Sequence, residues 1–250
     1  MKVLGIIPAR YASSRFLGKP LAMIGGKTMI ERVFRGCSEN TNLFELEVAT
    51  DDSRIFDAVA LFGGQAVMTD ENHINGTSRI VQVITDHYLG QEVDWVINIQ
   101  GDEPIIDPES INILINKYNE ERAEIITLKE EIKDINDKEN PNVVKVVTDL
   151  FDNALYFSRS SIPYMRNENK DFKYYRHVGI YGYTVEFLLK LENLKAGILE
   201  HIESLEQLKF MENGHKIKVY ETKSVIKGVD TKEDLVEVEK IILEKNITLD

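Results

Sequence analysis

Three fixed cations, Arg10, Arg15 and Lys19, fall within ten residues of a chain whose formal net charge is −12. They belong to Ala9-Arg10-Tyr11-Ala12-Ser13-Ser14-Arg15-Phe16-Leu17-Gly18-Lys19-Pro20-Leu21, a loop that opens where the apolar run Val3-Leu4-Gly5-Ile6-Ile7 breaks at Pro8. A local reversal of the field of this kind holds an anion. Glycine and small hydroxyl residues let backbone N–H groups approach phosphate oxygens, while Arg and Lys supply the charge. The chemistry predicted is polyphosphate binding, and the loop is not a Walker A loop, since no G-x-x-x-x-G-K-[ST] occurs.

Carboxylates follow at two places. Ile99-Gln100-Gly101-Asp102-Glu103-Pro104 reads as a strand ending in Gly-Asp. That places Asp102 where it can ligate Mg²⁺, an ion that takes one or two protein carboxylates and keeps water and phosphate for the rest of its shell. Gly and Asp are also default turn residues, and the pair taken alone is more often a plain cap than a metal ligand. In Gly228-Val229-Asp230-Thr231, Thr231 with Asp234 reads as a helix cap that anchors Asp230 as a second candidate ligand. The loop His73-Ile74-Asn75-Gly76-Thr77-Ser78-Arg79 leads into the apolar helix residues Ile80, Val81, Val83 and Ile84. It offers backbone donors suited to a base edge or a phosphate, and it also has the composition of an exposed turn. A last cluster, Arg159, His177, Glu203 and Gln207, suits a polyhydroxylated acid, with arginine for its carboxylate and the others for its hydroxyls. Glu203 and Gln207 stand at i and i+4, one face of a predicted helix over 200–213, where ordinary solvated residues would also lie.

The elements that must position these groups alternate. Strands are predicted at 2–7, 45–50, 65–68, 94–100 and 125–128, and helices at 28–38, 52–61, 78–88 and 108–120. Such alternation implies an α/β fold with a doubly wound, mainly parallel sheet, whose ligands bind beyond the carboxyl ends of the strands. After Pro141 the strands shorten (143–148, 154–158, 176–183, 216–220), with helices near 184–193, 200–213 and 232–244. The junction is expected at Asp137-Lys138-Glu139-Asn140-Pro141, dividing the chain into 1–140 and 141–250, packed as one unit. With 43% hydrophobic and 29% charged residues the composition is that of a globular protein. The acidic balance argues against nucleic acid or an anionic membrane as partner. The apolar N-terminal run is too short for a signal-peptide core and no run approaches a membrane span, so a cytoplasmic protein is expected. The single cysteine, Cys37, extends the helical series Met29, Ile30, Val33, Phe34 and reads as core.

Taken in order, Ile7-Pro8-Ala9-Arg10, Ala49-Thr50-Asp51-Asp52, Phe62-Gly63-Gly64, Met68-Thr69, Gln100-Gly101-Asp102-Glu103-Pro104, Leu155-Tyr156-Phe157-Ser158-Arg159, His177-Val178-Gly179-Ile180-Tyr181 and Gly228-Val229-Asp230-Thr231 span nearly the whole chain. In this combination they resemble the 3-deoxy-manno-octulosonate (KDO) cytidylyltransferase family. The resemblance implies a nucleotide-diphospho-sugar transferase-like fold with a smaller β-rich substrate and dimerisation portion. It implies transfer of CMP from CTP to the anomeric hydroxyl of a 3-deoxy-2-ulosonic acid, with release of pyrophosphate, for lipopolysaccharide or capsule synthesis, with Mg²⁺ and as a homodimer. By the same likeness Arg10, Lys19, Asp102 and Asp230 are catalytic, Asp102 and Asp230 holding metal. Pro8, Ala9, Arg10, Ser13, Arg15, Lys19, His73, Gly76, Thr77, Arg79 and Gln100 line the nucleotide, and Gln100, Arg159, His177, Tyr181, Glu203 and Gln207 the sugar acid. Four positions depart from the family pattern: Leu17 and Thr28 where proline is common, Asn75 where serine is, and Ser78 where an acid is. Ser78 bears on which acid is accepted, so a cytidylyltransferase for 8-amino-KDO or a similar acid is the alternative. A silent sugar-nucleotide-binding regulator is a second one, against which the two carboxylates beside a phosphate loop argue.

Overall fold

Val3-Leu4-Gly5-Ile6-Ile7 and the two residues after it form the first strand of the computed structural model, which describes residues 1–12, 16–167, 169, 171–223 and 228–244. Contacts gather the chain into two units, Met1–Ile115 with Ser224–Asp250, and Asn116–Lys223. The first unit runs β1 (Val3–Ala9), a hairpin of β2 (Met23–Ile24) and β3 (Lys27–Thr28), α1 (Met29–Ser38), β4 (Glu45–Thr50), α2 (Ser53–Leu61), β5 (Gln65–Met68), α3 (Gly76–Val83), β6 (Trp95–Asn98) and α4 (Pro108–Glu121), whose last turns belong to the second unit. Strand β1 pairs in parallel with β4 on one side and β6 on the other, and β5 adds in parallel to β4. Strands β1 and β6 are buried almost throughout, as helices on both faces of a parallel sheet require.

Strand β1 continues through Pro8 to Ala9, two residues past the predicted stop. Strand β6 registers only against Val3–Ile6, so the missing N–H of Pro8 costs no bond to it. The carbonyl of Pro8 instead packs on Gly101, where an added Cβ would stand 2.7 Å from it. On its other side Pro8 meets Gly76, whose Cβ would lie 3.3 Å from the proline ring. Two loops therefore close on the end of β1 because each offers a residue without a side chain.

A small core positions the rest of this unit. Ile24, Met29, Val229, Val238 and Ile242 are buried together, with Phe16, Ala22, Ile105 and Leu235 packed against them. Each such burial contributes about 1.5–3 kcal/mol. The cluster binds the β2–β3 hairpin to the C-terminal helix Lys232–Glu244. Polar contacts secure the same joint. Arg32 donates from Nε to Ile24 O (2.6 Å) and from Nη2 to Gly25 O (2.9 Å), and Gly25 N donates to Glu239 Oε1 (2.9 Å). Thr28 caps α1 by accepting from Glu31 N at 3.2 Å, a use for a hydroxyl where proline is common. Nothing in the structure explains the exposed Leu17.

The second unit continues with β7 (Ile125–Glu131), α5 (Ile135–Glu139), β8 (Lys145–Thr148), β9 (Ala154–Ser158), β10 (Tyr175–Thr184), α6 (Val185–Lys190), α7 (Ile198–Glu203), α8 (Glu206–Glu212) and β11 (Lys218–Glu221). Strand β11 is parallel to β7, whereas β10 is antiparallel to β7 and to β8, and β9 antiparallel to β8. The second unit is therefore rich in strands. Two predicted helices are corrected. The span 78–88 is α3 from Gly76, followed by a π-helical turn over Ile84–Tyr88. The span 200–213 breaks at Ser204, left-handed at φ 52, so Glu203 and Gln207 lie on different helices and share no helix face. Among the described residues no helix is long and apolar enough to cross a membrane.

The Pro8 contacts predict an ordered pair of effects. Gly101→Ala forces a Cβ onto a backbone oxygen and should cost about 1–3 kcal/mol, the usual penalty of overpacking. Gly76→Ala meets only a ring edge and should cost less. Urea denaturation of the two variants checks this, and equal midpoints would contradict it.

Candidate active site

Lys19, Asp102 and Asp230 converge at the end of the parallel strands. Gly18, left-handed at φ 70, donates its N–H to Tyr11 O at 2.9 Å and starts the 3-10 turn that carries Lys19. The ammonium then donates to Asp102 Oδ2 (2.7 Å), Val229 O (2.9 Å) and Asp230 Oδ1 (3.4 Å). Asp102 is fixed by the Gly101 contact and accepts Val229 N at its carbonyl (2.9 Å). Asp230 is held through Asp234, whose carboxylate accepts Asp230 N (3.0 Å), Thr231 N (2.8 Å) and Thr231 Oγ1 (2.9 Å). The Thr231–Asp234 cap expected from the sequence is therefore present, and it orients its neighbour as well as ending a helix.

Two carboxylates and a carbonyl around a single point make an all-oxygen, hard donor set. Lys19 is 14% exposed while Asp102 and Asp230 are 33% and 47% exposed, so the acidic side opens outward. That donor set fits Mg²⁺, which needs no more than one or two protein carboxylates. Among the described residues no group of three or more His, Cys, Asp or Glu gathers to hold a metal, so the site offers two carboxylates and no third.

The other first-unit residues sort into an exposed and a buried set. Ala9 is buried, Pro8 and Gln100 are half-buried and Arg10 is exposed at the rim; Ser13 and Arg15 lie outside the described residues. Asn75 caps α3, its Oδ1 accepting Ser78 N (2.8 Å), and Ser78 Oγ donates to Asn75 O (3.0 Å). Two departures from the family pattern thus make one capping pair. His73 Nε2 meets Gln82 Oε1 at 2.7 Å. Thr77 and Arg79 are 2% exposed. The Arg79 guanidinium donates to Asp51 Oδ2 (2.8 Å) and to Thr69 Oγ1, tying the ends of β4 and β5 to α3. Sequence reasoning quoted Asp51 and Thr69 without giving them a role. The usable signal was that both follow strands ending on the same rim as Asp102. Tyr11 was also passed over; its ring lies 3.4 Å beneath the guanidinium of Arg54, itself paired with Asp52.

Within the second unit Arg159, His177, Tyr181 and Glu203 form two linked groups. Glu203 accepts Ser158 Oγ (2.6 Å) and Arg159 N (2.9 Å), and its backbone carbonyl accepts Arg159 Nε (2.7 Å). Arg159 also donates to Pro141 O at 3.0 Å, with N–H donors left over. His177 and Tyr181 share a face of β10, and the bulge between Val178 and Tyr181 shortens the distance between them, ring centroids 5.2 Å apart. Thr127 Oγ1 sits at the bulge, 3.1 Å from His177 Nε2 and 2.8 Å from Ile180 O. Gln207 is 6% exposed.

Desolvation, helped by the charge of Arg176, pushes the His177 imidazole down to about 3. It is therefore neutral at physiological pH and offers a directional ring nitrogen rather than a charge. Its ordinary value is 6.5, so in acid the unfolded chain binds a proton that the folded one refuses. Stability should fall as pH drops below that value, by up to about 2 kcal/mol between pH 7 and 5 at roughly 1.4 kcal/mol per unit. Denaturation of the protein and of His177→Gln at both pH values tests this. The same pH dependence in the two would contradict it.

Residues 4–217 match the cytidylyltransferase family. The 3-deoxy-manno-octulosonate cytidylyltransferase of Fusobacterium nucleatum is 52% identical over 250 residues, all of both chains. The 8-amino-3,8-dideoxy-manno-octulosonate cytidylyltransferase of Shewanella pealeana is 48% identical over 237 residues, covering 94% of this chain and 96% of its own. Among solved structures, CMP:2-keto-3-deoxy-manno-octonic acid synthetase complexed with CTP superposes with a TM-score of 0.91 at 40% identity, covering 98% of this chain and 100% of that one.

Proposed function

The chain belongs to the cytidylyltransferase family, and from that premise we propose that it transfers CMP from CTP to the anomeric hydroxyl of 3-deoxy-manno-octulosonate. The observation that carries this reading is the meeting of Lys19, Asp102 and Asp230 at the strand ends, in a chain 52% identical over its full length to a KDO cytidylyltransferase.

The oxygen of the anomeric hydroxyl attacks the α-phosphorus and loses its proton to solvent, the bond from that phosphorus to the bridging oxygen breaks, and pyrophosphate leaves with the electron pair. Negative charge develops on phosphate oxygens, so the chain's work is positioning and electrostatic. Arg10, Ser13, Arg15 and Lys19 are the residues assigned to the triphosphate. Pro8, Ala9, Gly76 and Thr77 shape the nucleotide side, with His73 and Gln100. Arg79 supports that side from below through Asp51 and Thr69. Asp102 and Asp230 hold Mg²⁺, which when bound neutralises phosphate charge and lowers the pKa of the attacking hydroxyl. Arg159 takes the carboxylate of the sugar acid, and neutral His177 with Tyr181, Glu203 and Gln207 shapes the surroundings of its hydroxyls.

The 8-amino relative keeps a second reading in view. Ser78 supports the unmodified sugar, because its hydroxyl and N–H are both used in the cap of α3. The protein acts as a homodimer in the cytoplasm. Exposed Leu150, Phe151 and Leu155 around the β8–β9 connection, with Ile198 and Ile202 on α7, support a second copy as partner. The buried thiol of Cys37 suits a reducing compartment.

Pyrophosphate release with CTP or UTP against KDO and 8-amino-KDO tests the assignment. The highest kcat/KM is expected for CTP with KDO, and preference for the amino sugar would move it to the second reading. Lys19→Ala should lower kcat by about 10²–10³, the cost of losing one group placed at a developing oxyanion. Asp102→Asn and Asp230→Asn should each abolish metal-dependent turnover, and the double variant should be no worse than either single one, as for groups acting as a unit. Additive, modest losses would make them two separate caps.

A further inference from the structure

Lys145 is fully buried, yet among the described residues its ammonium meets no carboxylate at ion-pair distance. It donates instead to three backbone carbonyls, Asn140 O (2.9 Å), Val143 O (2.6 Å) and Arg159 O (2.5 Å). Three acceptors match the three N–H bonds of a protonated amine and leave none for a lone pair, so the group is a buried cation. Burying a charge is costly unless every donor is satisfied, and an apolar residue would fill the space without that cost. The carbonyls it gathers show what the charge is used for. Asn140 and Val143 bracket Pro141, whose own carbonyl accepts Arg159 Nη1 at 3.0 Å. The third carbonyl is that of Arg159 itself. The ammonium thus fixes both the turn that orients the Arg159 guanidinium and the peptide from which that side chain springs. Glu203 fixes the opposite side through Arg159 N (2.9 Å).

We propose that Lys145 is a positioning residue for the sugar acid: its buried ammonium sets the direction of the Arg159 guanidinium. The inference rests on the reading of Arg159 as the group that takes the substrate carboxylate. A second positive charge behind Arg159 also raises the local potential felt by an acidic ligand.

The test is steady-state kinetics of Lys145→Met and Lys145→Gln, alone and combined with Arg159→Ala. Both Lys145 variants should raise KM for the sugar acid by roughly tenfold or more, the scale on which a misplaced binding group costs. KM for CTP should stay within about twofold, as expected for a site with no shared partners. Glutamine, which keeps two donors, should lose less than methionine. In the Arg159→Ala background neither substitution should raise KM further. If Arg159→Ala raises the sugar-acid KM and the Lys145 variants do not, the proposal falls and the reading of Arg159 stands. If Arg159→Ala leaves that KM unchanged, both fall. Equal rises in both KM values, or failure of both Lys145 variants to fold, would make the lysine a structural staple and overturn the proposal.

Discussion

The Lys19 ammonium holds together groups that are 83 and 211 residues away in sequence. Two carboxylates brought to one place repel, and a cation between them makes their approach favourable. The pair is half exposed, so it adds only about 0–1 kcal/mol to stability. Its consequence is geometric: the ends of β1 and β6 and the start of the C-terminal helix must all be correct for the three side chains to meet. That demand explains the bare backbone at Gly101, the capping carboxylate of Asp234, and the apolar joint of Ile24, Met29, Val229, Val238 and Ile242.

Buried polar groups do a second kind of work here. Arg79 ties two strand ends to α3 through Asp51 and Thr69, Arg32 holds the β2–β3 hairpin by its carbonyls, Thr127 closes a bulge, and Lys145 gathers three carbonyls. In each case the acceptor or donor is one that no regular ladder satisfies. A polar group left unsatisfied in a low-dielectric interior is expensive, so each contact selects one loop conformation over its neighbours. The loops around the site are therefore set by buried charges, and the exposed groups at the rim, such as Arg10, are left for ligand.

Much of the fold was legible because periodicity reports burial directly. The apolar runs Val3–Ile7 and Trp95–Ile97 lie in strands buried on both faces, and the stretch 232–244 is helical as predicted. The failures are equally physical. A helical pattern cannot show that Ser204 turns left-handed and ends α7, or that the Glu203 carboxylate beside it accepts from Ser158 and Arg159 of another element. Nor could it show the β2–β3 hairpin, whose four strand residues are too few to give a period.

By itself the sequence determined the chemistry available: a basic loop at a strand end, two carboxylates (one directly after a glycine, one just before a capped helix), and a cluster suited to an acidic sugar. It also carried the motifs by which the family is known, since their residue types and order survive in one dimension. Only the tertiary structure decided which of these groups share a point and which are consumed in holding others. Lys19, Asp102 and Asp230 meet, whereas the Arg79 side chain and the Glu203 carboxylate turn to neighbouring protein groups. The reason is that hydrogen-bond partners are chosen by distance in the folded chain, and a sequence records a residue's capacity to bond without recording what stands beside it.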